Sequence, residues 1–89
     1  MNTSEWKELK SELESRNFKV SIKGRSRSEM IAESDHLIID IYKKGISNSG
    51  TRPEIYIYDI ENMVIIEHFN EYFVPRILDR VDAFIADYE

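Results

Sequence analysis

The alternation of hydrophobic and polar residues is most regular between Glu54 and Phe69. Two β-rich runs, Glu54–Asp59 and Met63–Phe69, flank a short polar break at Glu61-Asn62. Ile, Val, Tyr and Phe suit a pleated, packed strand surface, and Asn tolerates the positive φ of a tight turn. The pattern therefore predicts a β-hairpin at the centre of a small sheet.

A two-residue turn at Glu61-Asn62 would set the faces of this hairpin. Tyr58 would lie opposite Ile65 and Ile57 opposite Ile66, and partners across an antiparallel pair share a face. One face would then carry Ile55, Ile57, Val64, Ile66 and His68, and the other Tyr56, Tyr58, Ile60, Met63, Ile65, Glu67 and Phe69. A three-residue loop would shift the pairing by one residue and move the side chains of one strand to the opposite faces. Neither face is plainly polar in either register.

Further strands are predicted upstream of the hairpin. Phe18–Lys23 alternates cleanly, and His36–Lys43 is nearly continuously apolar, which is typical of a central strand covered on both sides. Between them, Glu29–Glu33 is predicted to be a short strand that pairs back on Phe18–Lys23, with a single helical turn as the alternative. Lys44–Pro53 has the glycine, hydroxyl and proline content of a loop.

Helices are predicted at both ends. Trp6, Leu9 and Leu13 form a narrow apolar stripe over Ser4 to Arg16, with Thr3 or Ser4 as the cap and Asn17 as a left-handed end. A stripe this narrow favours Trp6 as a core anchor over a ligand-binding role. The last helix runs to Tyr88, with a broad apolar face. It starts either at Glu71, after an Asn70 cap, or near Pro75.

The element order is therefore α-β-(β)-β-β-β-α. This order predicts the α+β class, with an antiparallel meander of three to five strands and both helices packed on one sheet face. The 89 residues predict one small domain over 1–89.

Composition narrows the function classes. The chain has no cysteine, which excludes disulfides and thiolate chemistry and fits a reducing compartment. The N-terminus lacks a signal-peptide core and no apolar run is long enough for a bilayer, so we expect a cytoplasmic protein without membrane contact. The net charge of −5 is uneven: residues 1–52 hold ten Lys or Arg against eight Asp or Glu, and residues 53–89 hold two against nine. Such asymmetry predicts a polar partner surface.

Catalytic motifs are not found. His36 and His68 have no zinc-ligand spacing, and the three glycines form no phosphate-binding loop. Glu67 and Glu71 near His68 could supply carboxylates, but one such cluster does not make a site. We therefore predict a non-enzymatic protein with no catalytic, cofactor-binding or metal-binding residues.

Nucleic-acid binding is the alternative function. Its candidate residues are basic and form a run with no acidic residue among them: Arg16, Lys19, Lys23, Arg25 and Arg27. Tyrosines of the sheet could stack on bases beside them. The coarse α-β-β-β-α order is similar to that of the double-stranded RNA-binding domain. That family has a lysine-rich motif at the start of its last helix, where this chain has NEYFVPRILDR. The resemblance is therefore one of topology only, and the acidic net charge favours weak phosphate binding.

Protein binding is the leading hypothesis. If both helices cover one sheet face, the other face keeps an apolar patch that monomers seldom leave uncovered. The predicted partner-binding residues are Tyr42, Tyr56, Tyr58, Ile65 and Phe69. We expect a homodimer first, and an adaptor or inhibitor of a larger protein second. The small size and the Ile-, Glu- and Lys-rich composition also suit a mobile-element accessory protein.

Overall fold

The computed structural model describes residues 1–24, 27–43 and 53–87. Their elements are α1 (Thr3–Ser15), β1 (Lys19–Lys23), β2 (Glu29–Glu33), β3 (Leu37–Tyr42), β4 (Glu54–Asp59), β5 (Val64–Asn70) and α2 (Val74–Asp87). The predicted α+β order is confirmed, with five strands, because Glu29–Glu33 is a strand. The predictions for Arg25, for Tyr88 and for a loop over 44–52 fall outside the described residues.

The five strands form one antiparallel meander in the order β1-β2-β3-β4-β5. Each strand pairs with its sequence neighbour, so that Val20 lies opposite Ala32 and Ile39 opposite Ile57. This places β3 at the centre, as its apolar sequence predicts, and leaves β1 and β5 as the edges.

Helix α1 begins with a capping box. Asn2 Oδ1 accepts from the backbone N–H of Glu5 at 2.8 Å, and Glu5 Oε1 accepts from the Asn2 N–H at 3.0 Å. The cap predicted at Thr3 or Ser4 is therefore wrong, because the three-residue spacing to Glu5 selects Asn2.

Helix α1 ends at the predicted left-handed residue. Asn17 has φ 69°. The N–H of Phe18 donates to the Leu13 carbonyl at 3.1 Å and that of Asn17 to the Glu14 carbonyl at 3.1 Å. This hydrogen-bond pair is a Schellman motif, which turns the chain sharply and delivers Phe18 into the core beside Leu13.

Helix α2 begins at the later of the two predicted starts. Val74 is its first residue, so Pro75 lies in the first turn, where a missing N–H removes no helical hydrogen bond. Ahead of it, Glu71 Oε2 accepts from the N–H groups of Tyr72 at 2.8 Å and Phe73 at 3.2 Å.

Both helices pack on the same sheet face. Trp6, only 4% exposed, is the core anchor that its spacing predicts. The core is one cluster of buried residues from both helices and from β2 to β5, and Val20 and Ile22 of β1 pack against it. Its fully buried members from the helices and the sheet include Leu9, Leu13, Ile77, Val81, Met30, Ile39, Ile41, Ile55 and Ile57. The apolar sequence of β3 predicts that both faces of this strand are covered. This prediction is wrong for the described residues, because both described helices lie on the same face of the sheet.

The turn between β4 and β5 has four residues rather than the predicted two. Asp59 pairs with Val64, and the Met63 N–H donates to the Asp59 carbonyl at 2.9 Å. The buried Asp59 side chain shapes the turn. Its carboxylate accepts from the Glu61 N–H at 2.9 Å and from the Asn62 side-chain amide at 2.7 Å. The left-handed residue is Met63, with φ 56°, and not Asn62.

A β-bulge then changes the face of every residue after Ile66, which itself packs against the core as predicted. Tyr58 pairs with Ile65 as predicted, but Ile57 pairs with Glu67 rather than with Ile66. One extra residue on a strand reverses the alternation beyond it. The faces predicted for Glu67, His68 and Phe69 are therefore wrong.

Phe69 lies on the helix side because of this bulge. It is opposite Ile55 and 8% exposed, with the Arg80 guanidinium 4.4 Å above its ring. Arg80 also donates to Glu67 Oε2 at 3.3 Å. These contacts remove Phe69 from the predicted partner-binding patch.

Candidate partner-binding surface

The sheet face that points away from the helices, which we call the outer face, consists of three rows of side chains with one residue from each strand. The first row is Lys23, Glu29, Tyr42, Glu54 and Asn70. The second is Ser21, Ile31, Asp40, Tyr56 and His68. The third is Lys19, Glu33, Ile38, Tyr58 and Ile65. The register thus gathers four of the five predicted partner-binding residues on β3, β4 and β5.

The aromatic rings of the outer face are packed against one another. The Tyr56 ring stacks on His68 at a centroid distance of 4.2 Å, with 4° between the planes. Tyr42 meets Tyr56 edge-on at 6.1 Å, and Tyr58 stacks on it at 6.4 Å. Because each ring is held by its neighbours, this surface has little side-chain freedom left to lose when a partner covers it.

A fully buried carboxylate anchors the aromatic group. Glu54 has no exposed surface. Its Oε1 accepts from the Tyr56 hydroxyl at 3.0 Å and lies 2.8 Å from His68 Nε2. A buried carboxyl group is tolerated when it is hydrogen-bonded in this way, and the same bonds fix the Tyr56 and His68 rings.

A second carboxylate lies at the centre of the outer face. Burial, then a hydrogen bond to Glu29 and repulsion from that residue, raise the pKa of Asp40 to about 7. Asp40 Oδ2 accepts from the Tyr42 hydroxyl at 3.2 Å, whereas the buried Oδ1 has no hydrogen-bond partner among the described residues. Two ionised carboxylates repel each other and have no donor between them, so the proximity of Glu29 favours the protonated form of Asp40.

The neighbouring tyrosines respond to the same environment. Burial and the charge of Asp40 raise the pKa of Tyr42 well above its ordinary value, and burial raises the pKa of Tyr58. Both hydroxyls therefore remain protonated donors at neutral pH, able to bond to a partner or to the carboxylates of this face.

The carboxylates near His68 do not converge on it. The bulge places Glu67 on the helix side of the sheet, and the Glu71 carboxylate accepts from the Tyr72 N–H ahead of α2. His36, the other histidine, lies 3.6 Å from Glu61 beside the β4–β5 turn. Across residues 1–24, 27–43 and 53–87, no group of three or more His, Cys, Asp or Glu side chains is arranged to hold a metal ion.

The basic residues predicted for nucleic-acid binding are not brought together. Arg16 Nε donates to Asp82 Oδ1 at 2.7 Å, and Arg16 Nη2 donates to Asp82 Oδ2 at 3.1 Å; the hydrogen bond to Asp82 raises the pKa of Arg16. Lys19 and Lys23 lie directly opposite Glu33 and Glu29 on the outer face. Of the other two predicted residues, Arg25 lies outside the described residues and Arg27 is exposed.

Two surface features are missing from the sequence predictions. The first is an apolar tip next to the predicted residue Ile65, where Met63 is 83% and Val64 49% exposed. The unbroken apolar run from Met63 to Ile66 was the available signal for it. The second is a groove beside α1, to which Lys7 and Lys10 bring cations that lie outside the predicted basic run.

Comparison with protein families, with curated proteins and with solved structures finds no match for this chain. Neither described helix has the length and apolar content needed to cross a membrane.

Proposed function

We propose that this chain is a small, non-enzymatic protein that acts through contact with another protein, and that the outer face is the contact surface. The observation that carries the proposal is the one-sided packing of the sheet. Both helices bury the Ile39 and Ile57 side, and no described helix covers the side of Tyr56 and Tyr58.

The chemistry of the outer face supports a protein partner over other ligands. Tyrosine offers a large apolar ring and a hydroxyl on a side chain with few rotatable bonds, and it is enriched at interface cores. Here the rings are already ordered by Glu54 and by one another. The glutamates Glu29 and Glu33 lie opposite the lysines Lys23 and Lys19, so this face has no excess of positive charge to attract a phosphate backbone.

A second copy of the chain is the first candidate partner. Tyr58 lies directly opposite Ile65, which is 53% exposed, and the exposed residues Met63 and Val64 precede Ile65 in the chain. A two-fold dimer needs only one self-complementary patch, and the outer face combines lysines at the β1 border with glutamates on β2. An adaptor or inhibitor of a larger protein is the second form of the proposal.

The expected affinity is modest. Full burial of a large apolar side chain contributes about 1.5–3 kcal/mol, and the outer-face tyrosines are already half-buried. After the costs of association, a dimer held by three or four such side chains would dissociate in the range of about 1 µM to 1 mM.

Sedimentation between about 10 µM and 1 mM tests the dimer, a range set by that affinity. We expect the sedimentation coefficient to rise with concentration, and the double variant Tyr56→Ser/Tyr58→Ser to remain monomeric while it still unfolds cooperatively. Tyr72→Ser is the matched control, because Tyr72 is an exposed tyrosine outside the sheet. A wild-type chain that is monomeric at the highest concentration refutes self-association.

The adaptor form has a separate test. A photoreactive amino acid in place of Tyr58 should cross-link a defined protein in the native host, and the same group in place of Tyr72 should not. Equal labelling from both positions would contradict a specific role for the outer face.

A further inference from the structure

The outer face carries an excess of carboxyl groups over cations. Its three rows hold four carboxyl groups against two lysines: Glu29, Glu33, Asp40, Glu54, Lys19 and Lys23. The lysines lie opposite Glu33 and Glu29 of their own chain. No cation lies opposite Asp40, whose neighbours across the two adjoining strands are Ile31 and Tyr56. When two identical faces meet, each therefore brings the same acidic centre to the contact.

Asp40 occupies the middle of this surface. It lies in the second of the three rows, on the central strand β3, between Ile31 of β2 and Tyr56 of β4. A partner that covers the Tyr56 ring also covers Asp40, which is half-buried before any contact forms. The contact then removes the remaining water from this carboxyl group, and loss of water disfavours the ionised form.

The two oxygens of Asp40 are poorly placed to pair with a cation from a partner. Oδ1 is fully buried and has no hydrogen-bond partner among the described residues. Oδ2 already accepts from the Tyr42 hydroxyl at 3.2 Å. An arginine on a partner therefore cannot form the bidentate pair that compensates a covered carboxylate, whereas a proton can neutralise it.

The titratable groups around Asp40 come from four strands. They are Glu29 and Glu33 on β2, Tyr42 on β3, Glu54, Tyr56 and Tyr58 on β4, and His68 on β5. Burial and then the charge of Asp40 raise the pKa of both Tyr42 and Tyr58, so the field of this carboxylate reaches the rings on either side of it. His68 is bonded to Glu54 rather than to Asp40.

We propose that the association of two copies through the outer face takes up a proton at Asp40 of each copy, so that pH controls the contact. This inference rests on the proposed function, because it concerns the same surface and the same partner. The proton removes the charge that the contact would strip of water, and it lowers the repulsion between the two acidic centres.

The direction of the pH dependence follows from linkage. The pKa of Asp40 is already raised to about 7 in the uncovered face, by burial first and then by Glu29. Covering the face raises this pKa further, so the contact is strongest below about pH 7 and weakens as pH rises above it. Each proton taken up changes the dissociation constant by at most about tenfold per pH unit. With two Asp40 side chains in a dimer, we expect it to be about 10- to 100-fold larger at pH 8 than at pH 6.

Sedimentation of the wild-type chain at pH 6, 7 and 8, between about 10 µM and 1 mM, measures this change. Circular dichroism at each pH checks that the chain stays folded. Asp40→Asn should associate equally at all three pH values, because it has no charge to lose. Asp79→Asn is the matched control, since it removes one charge at an exposed position on α2 and should keep the wild-type dependence.

Two further variants separate Asp40 from its neighbours. His68→Gln keeps a donor for Glu54 and removes a histidine, the side chain that ordinarily titrates near neutral pH, and the dependence should remain. Glu29→Gln leaves Asp40 in place and removes the adjacent negative charge. It should move the weakening of the contact to lower or higher pH in one direction only: upward if Glu29 stabilises the ionised form, and downward if it repels it, and we expect no upward move because repulsion from Glu29 raises the pKa of Asp40.

Four results overturn the proposal. Equal association of the wild type at pH 6 and pH 8 refutes the proton uptake and leaves the contact itself standing. Stronger association at pH 8 would mean that a cation pairs with ionised Asp40. A pH dependence that persists in Asp40→Asn, or that disappears in His68→Gln, assigns the proton to another group. A chain that is monomeric at both pH values refutes the coupling together with self-association.

Discussion

Replacing Asp40 by asparagine tests the electrostatics of the outer face directly. The raised pKa of about 7 means that the folded chain holds a proton on Asp40 more tightly than the unfolded chain, where the ordinary value is 3.8. The folded state then binds more protons between these two values, so the free energy of unfolding falls as pH rises through this window. Above about pH 7 the loss is complete, and below about pH 4 it is absent.

The magnitude follows from the size of the shift. A difference of about three pKa units corresponds to ~4 kcal/mol at 1.36 kcal/mol per unit. Because Asp40 is only half-buried, solvent screening recovers part of the loss, and we expect about 2 kcal/mol. An asparagine side chain at this position has no charge to desolvate, and its amide can donate to Glu29.

Urea unfolding at pH 4, 5, 6, 7 and 8, followed by far-UV circular dichroism at one protein concentration, measures the effect. The Asp40→Asn variant should match the wild type near pH 4 and become more stable by about 2 kcal/mol at pH 8. Asp35→Asn is the matched control, because Asp35 is exposed between β2 and β3. A difference between Asp40→Asn and wild type that stays constant across this range would refute the assignment.

Two further predictions concern local backbone structure. Met63→Gly should raise the free energy of unfolding by about 1 kcal/mol, because Met63 is 83% exposed and has a left-handed φ of 56°. Met63→Ala keeps the Cβ and should change the stability little. Thermal melts that give the two variants the same stability would contradict this prediction. Asn2→Ala should lower the free energy of unfolding by about 1 kcal/mol, because it removes the capping box with Glu5. Thr3→Ala should be nearly neutral. Equal losses of melting temperature in the two variants would show that Asn2 is not the cap.

The local sequence determined the elements of this protein. Alternation specifies β1, β3 and β4 and their inner residues, as in Val20 and Ile22, because the side-chain period of a strand is two. The stripe of Trp6, Leu9 and Leu13 specifies the buried side of α1, and Asn17 specifies its end. These features depend on contacts within a few residues, which a single sequence displays.

The candidate surfaces were predicted less completely. Alternation placed Tyr42, Tyr56 and Tyr58 on one face, but the bulge at Ile66 exchanged His68 for Phe69 on it. No local signal marks that bulge, because it depends on how the four-residue turn, held by the buried Asp59 carboxylate, fits the pairing of β4 with β5.

Only the tertiary structure decided which distant side chains meet. Glu54 and His68 share a hydrogen bond because β4 and β5 pair after the bulge, and Lys7 and Lys43 line one groove because α1 packs across the sheet. The physical reason is that such contacts depend on register and on helix placement, which the burial of the whole core sets at once. Spacing along the chain carries no record of them.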